Sequence, residues 1–128
     1  MENLRGAELR IGNLVNYQVG TSIFQDKVTA ITEKRIVIGN VAIKHDCLRP
    51  IPLTEEWLIN FGFKEVLGKF VIKATDGYNV CVGLRNEKWY LYNDDCDAEC
   101  NIICEVESVH RLQNLFFDIW NIELKSKG

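Results

Sequence analysis

No stretch of the sequence approaches the roughly 18 consecutive apolar residues that a bilayer-spanning helix requires. Its start, Met1-Glu2-Asn3-Leu4-Arg5, also lacks the apolar segment of a signal peptide. Both absences set the expectation of a cytoplasmic chain with no membrane partner. Histidine is scarce, with only His45 and His110. Nucleophilic catalysis needs a Cys or Ser within reach of a His that a third group orients. Cys47 stands two residues from His45, on the same face if that segment is a strand, but no orienting acid accompanies the pair. A glycine-rich phosphate loop is missing too. Ile11-Gly12-Asn13 and Leu67-Gly68-Lys69 each carry a lone glycine, and the second lacks the upstream Gly and following Ser/Thr of a P-loop. No enzymatic activity is therefore expected.

Cysteine is present in an odd number, five: Cys47, Cys81, Cys96, Cys100 and Cys104. With no export signal the expectation is free thiols. The segment Asn93-Asp94-Asp95-Cys96-Asp97-Ala98-Glu99-Cys100 mixes carboxylates and thiols at short spacing. As a calcium loop starting at Asp95 it has Asn101 where Gly is required and Val106 where a bidentate Glu is required. As a zinc site, Cys96, Cys100 and Cys104 are spaced too widely for the usual close Cys pairs, and His110 would have to supply the fourth ligand. Cys100, Ile102, Cys104 and Val106 alternate onto one strand face, where cysteine acts as a small apolar residue. The acidic stretch then reads as a solvated loop. No metal or cofactor is expected, and a thiol or metal role for Cys96, Cys100 and Cys104 ranks last among the functional readings.

A net charge of -3 argues against coating nucleic acid through the overall field. The distribution is uneven, however. Residues 1–52 hold seven cations, Arg5, Arg10, Lys27, Lys34, Arg35, Lys44 and Arg49, against five acids, Glu2, Glu8, Asp26, Glu33 and Asp46. A local basic surface made of Tyr17, Lys27, Lys34, Arg35, Lys44 and Arg49 is thus the candidate for nucleic acid, since small barrels present aromatics and cations to bases and phosphates.

Short β-branched runs organise the first part: Leu14–Gln18, Val28–Thr32, Arg35–Ile38 and Val41–Ile43, with Gly39-Asn40 suited to a two-residue hairpin turn. Strands so short and closely spaced predict an SH3-like small β-barrel over residues 1–52. Pro50 and Pro52 end it. Residues 53–124 then predict a helix, an antiparallel meander and a C-terminal helix packed on the sheet, giving an α+β protein with a frayed tail at 125–128. Thr54 caps the first helix ahead of Glu55 and Glu56, Trp57, Leu58 and Phe61 share its apolar face, and Gly62 closes it. Strands are expected at 70–73, 78–82, 89–92 and 102–106, with turns at Asp76-Gly77 and Arg85–Glu87. Ser108 caps the last helix, where Val109, Leu112, Leu115, Phe116 and Ile119 keep a helical period.

Three stretches together resemble a family of small uncharacterised proteins encoded in Bacteroidetes genomes, often in phage-like or other mobile regions. They are Glu8-Leu9-Arg10-Ile11-Gly12-Asn13, then Pro50-Ile51-Pro52-Leu53-Thr54-Glu55-Glu56-Trp57-Leu58 with Phe61-Gly62-Phe63, and Val109-His110-Arg111-Leu112-Gln113-Asn114-Leu115-Phe116. The resemblance implies a bacterial, cytoplasmic, phage-related setting and assigns no activity.

The preferred reading is a non-enzymatic accessory module that binds another protein, with nucleic-acid binding through the barrel as the alternative. Tyr90 and Tyr92 alternate with Trp89 and Leu91, so they leave the covered sheet face. His110, Gln113 and Asn114 form one polar helical stripe. These five residues are the candidate partner surface.

Overall fold

Successive side chains of a strand point to opposite faces, so the buried positions along the strands mark which face is covered. In the computed structural model, which describes residues 9–66, 68–75, 78–92 and 102–125, the chain divides into two compact units. One comprises Met1–Pro52 with Ser108–Asn114, the other Leu53–Glu107 with Leu115–Gly128.

The first unit holds β1 (Leu14–Val19), β2 (Ser22–Ile31), β3 (Arg35–Ile38), β4 (Val41–Lys44) and β5 (Leu48–Arg49). Every pairing is antiparallel, in the order β4-β3-β2-β1-β5. β2 starts at Ser22, six residues before the β-branched run that signals it in sequence. Those extra residues, Ser22–Lys27, are all exposed, so no hydrophobic pattern marks them; the hairpin register with β1 extends the strand instead. Val15, Val28, Ile36, Ile38, Ile43 and Leu48 turn to one side and form the core with Leu9.

This sheet is not a closed barrel, which corrects the expectation from strand spacing. Its edge strands β4 and β5 do not pair, because the chain between them turns through a single 3-10 turn at His45–Cys47 and β5 is only two residues long. Gly39 opens the β3–β4 turn with φ of +60°, as a two-residue hairpin with glycine first requires. A Cβ at Gly39 would also stand 2.6 Å from Asp26 Oδ2, so space as well as conformation selects glycine there.

In the second unit, α1 (Glu55–Asn60) is followed by β6 (Lys64–Val66), β7 (Lys69–Thr75), β8 (Tyr78–Arg85), β9 (Lys88–Tyr92) and β10 (Ile102–Glu105). They form an antiparallel meander in the order β10-β9-β8-β7-β6. Thr54 Oγ1 accepts from the Trp57 amide at 3.4 Å, the expected N-cap. β6 has no counterpart in the sequence reading, since its three residues are all exposed and carry no apolar alternation. The β8–β9 turn places Asn86 and Glu87 at φ of 52° and 66°, which two-residue turns of the primed type demand. Phe70, Val80, Val82 and Leu91 are buried on one face of this sheet. Trp89, on the same face, meets Phe70 edge-on at 6.0 Å.

The last helix, α2 (Val109–Trp120), buries Val109, Leu112 and Phe116; its residues to Asn114 belong to the first unit and those from Leu115 to the second. No helix of the described residues is long and apolar enough to cross a membrane. Asp76-Gly77, the acidic stretch from Asn93 to Cys100, and positions 126–128 of the expected tail lie outside the described residues.

Candidate nucleic-acid interface

Strand parity sorts the charges of the first sheet. Its five strands carry the cations Lys27, Arg35, Lys44 and Arg49 and one acid, Asp26. Arg35 pairs directly with Lys44, one residue out of phase with the buried Ile36 and Ile43. Lys27 precedes buried Val28, and Arg49 follows buried Leu48 and pairs with Asn16. All four cations therefore stand on the outer face, opposite the core. Asp26 pairs with buried Val15, so its register places it on the other face.

Like charges directly opposite on a sheet are unfavourable. Arg35 and Lys44 face each other with no ion pair to either among the described residues, and the adjoining turn carries one charge of each sign, Glu33 and Lys34. Arg35 donates instead to the Lys34 carbonyl at 3.0 Å. Arg49 Nη1 donates to the Asp46 and Leu48 carbonyls, each at 2.8 Å, which fixes the guanidinium without neutralising it. Beside it, Gln25 Nε2 donates to Asn16 Oδ1 at 3.4 Å. The face thus combines positive charge with amide groups and holds no strand carboxylate.

Tyr17 does not join the cations. It pairs with Phe24 and with Leu48, packs against the core and stacks on the Phe24 ring at 5.4 Å. Nor does the polar stripe of α2 face outward. His110 and Gln113 are buried, and Asn114 is half-buried. The Ser108 hydroxyl lies 3.2 Å from His110 Nδ1. Gln113 Oε1 accepts from the Leu14 amide at 2.9 Å, and its Nε2 donates to the Gly12 carbonyl at 3.2 Å. Asn114 Oδ1 accepts from Arg10 Nε at 2.9 Å and from Asn13 Nδ2 at 2.8 Å, using both lone pairs. Fully buried Asn13 completes the network, its Oδ1 accepting from the Arg10 amide at 2.7 Å. Sequence reasoning missed Arg10 and Asn13 as its members. The available signal was the run Arg10-Ile11-Gly12-Asn13, a turn closed by Asn13 N–H donating to the Arg10 carbonyl, with Gly12 at φ of 99°.

Tyr90 and Tyr92 are half-buried on the face of the second sheet opposite Trp89 and Leu91. Tyr92 lies over Gly83, where a Cβ would come within 3.2 Å of its ring, and Lys69 Nζ sits 5.5 Å from the ring centroid. Lys88 and Glu105 form an ion pair at 3.6 Å.

One thiol departs from the expectation of free cysteines. Cys81 is disulfide-bonded, while Cys47 and Cys104 are free. Cys96 and Cys100 lie outside the described residues. His45 and Cys47 belong to a 3-10 turn rather than a strand, which removes the shared face supposed for them; Cys47 Sγ lies 3.7 Å from Asp46 Oδ1. Comparison of the chain with family models, with curated proteins and with solved structures returns no match.

Proposed function

We propose that the chain is a non-enzymatic accessory protein that binds nucleic acid through the outer face of its first sheet. The observation supporting this reading is the segregation of Lys27, Arg35, Lys44 and Arg49 onto one face and of Asp26 onto the other. Phosphate neutralisation by such cations releases counterions, so the local field can outweigh a net charge of -3 at the contact. The strand order, with a 3-10 turn ahead of the last short strand, favours an SH3-like small-barrel ancestry for this unit. The resemblance in the three sequence stretches favours a bacterial, phage-related, cytoplasmic setting, in which nucleic acid is at hand. The test is the salt dependence of binding to nucleic acid. Arg35→Gln with Lys44→Gln is expected to weaken binding about tenfold and to reduce the slope of log K against log salt by about 1.8. Lys73→Gln, an exposed change in the second unit, is the control. An unchanged slope in the double variant rejects the assignment of this face.

A protein partner is the second reading, favoured by the second sheet. Tyr90 and Tyr92 share a face by register with Val66, which is 51% exposed. Tyrosines of this kind anchor interfaces, and truncating one costs about 2 kcal/mol of binding. A protein isolated with this chain from its host is expected to lose about thirtyfold in affinity on Tyr90→Ala and nothing on Arg35→Gln. Retained affinity in the tyrosine variant would count against this surface.

A further inference from the structure

The outer face has charge without stacking groups, and its cations are widely spaced. Gly39 N–H donates to the Lys27 carbonyl at 3.0 Å, so Lys27 is level with the end of β3 opposite Arg35. Four residues of strand and one strand gap put about 14 Å between these two stations. Arg49 is level with Asn16 and Gln25, two strands and two residues from Lys27, a further step of about 12 Å. The cations thus run diagonally across the sheet, from the Arg35/Lys44 corner through Lys27 to Arg49.

We infer that this diagonal takes duplex DNA by its phosphates and does not read its bases. The inference rests on the nucleic-acid reading and specifies the ligand. With Lys and Arg side chains extending several ångströms from each station, steps of about 12 to 14 Å let the cations reach phosphates on both sides of a major groove about 12 Å wide. Successive stations can then engage opposite strands of one duplex. Single-stranded nucleic acid is held differently, by aromatic platforms on which bases stack within the basic groove. Among the described residues no aromatic stands on the outer face of the five strands. Tyr17 and Phe24 are on the opposite face by register, stacked on each other. Cations and aromatics on opposite faces of one sheet cannot act on the same strand of nucleic acid. The amides of Asn16 and Gln25 bond to each other and flank Arg49, which suits them to phosphate or sugar contacts that position the duplex.

The full-length protein is titrated into labelled random-sequence duplex DNA and into single strands of equal length, at salt from about 50 to 200 mM. Duplex is expected to bind at least about tenfold more tightly than either single strand, with a salt slope of about -3.6 for four phosphate contacts. Changing the duplex sequence is expected to shift affinity by less than about threefold, below the cost of one lost base contact. The triple change Lys27→Gln, Arg35→Gln and Lys44→Gln is expected to reduce the slope by about 2.7. These side chains are exposed, so an unaltered circular dichroism spectrum is expected to show the variant folded. Equal or tighter binding to single strands, or a strong sequence preference, overturns the duplex inference and leaves the nucleic-acid reading standing. No binding to either form at the lowest salt overturns both.

Discussion

Gln113→Ala is expected to destabilise the protein by about 2 to 4 kcal/mol in urea unfolding, as much as many core truncations. The reason lies at the start of β1. That strand is paired along its whole length with β2 on one side, but β5 reaches only Asn16 and Tyr17 on the other. The Leu14 amide therefore has no strand to bond, and the Gln113 carboxamide takes the place of one at 2.9 Å. Its Nε2 meets the Gly12 carbonyl in the same stroke. Removing a buried side chain that is 2% exposed strands both backbone groups, and an unsatisfied buried amide costs about 1 to 3 kcal/mol on top of the lost packing. Gln113→Met separates the two contributions, because it keeps the volume and removes the bonds. A loss of about 1 to 3 kcal/mol is expected for it. A change below about 0.5 kcal/mol in both variants, the range of ordinary surface substitutions, would show that the network is dispensable.

Phe116→Ala is expected to cost about 3 to 5 kcal/mol, the largest loss from one side chain here. Phe116 is fully buried and meets Phe63 edge-on at 5.8 Å and Trp120 at 4.9 Å. Truncation forfeits apolar burial, leaves a cavity and breaks two ring contacts. Against a total stability of about 5 to 15 kcal/mol, a large part of the folded population is at stake. Phe116→Leu keeps most of the volume but loses the aromatic edges, and a smaller cost of about 1 to 2 kcal/mol is expected. Equal midpoints for the alanine variant and the parent would contradict the packing described.

Short, locally coded elements were legible in the sequence. Thr54 capping α1, the turn chemistry of Gly39, and the helical period from Val109 to Ile119, of which Ile119 is left exposed, each follow from steric or hydrogen-bonding preferences within a few residues. The exposed part of β2 and all of β6 were not legible, because strands that bury nothing leave no apolar pattern. The candidate face was half legible: the cations were countable, but Tyr17 was grouped with them. Register puts Tyr17 against Leu48 and the core instead.

The stripe of His110, Gln113 and Asn114 makes the division clearest. The sequence by itself determined that these residues share one side of a helix, since a period of 3.6 places positions three and four apart together. The Arg10–Asn13 run turns where Gly12 takes a positive φ, a conformation glycine admits without strain. Only the tertiary structure decided that the stripe and the turn meet, with Gln113 and Asn114 satisfying groups about a hundred positions away in the chain. Amphipathicity cannot distinguish a polar face turned to water from one turned to unpaired backbone. Which it is depends on where the neighbouring strand ends, and that is fixed by the fold.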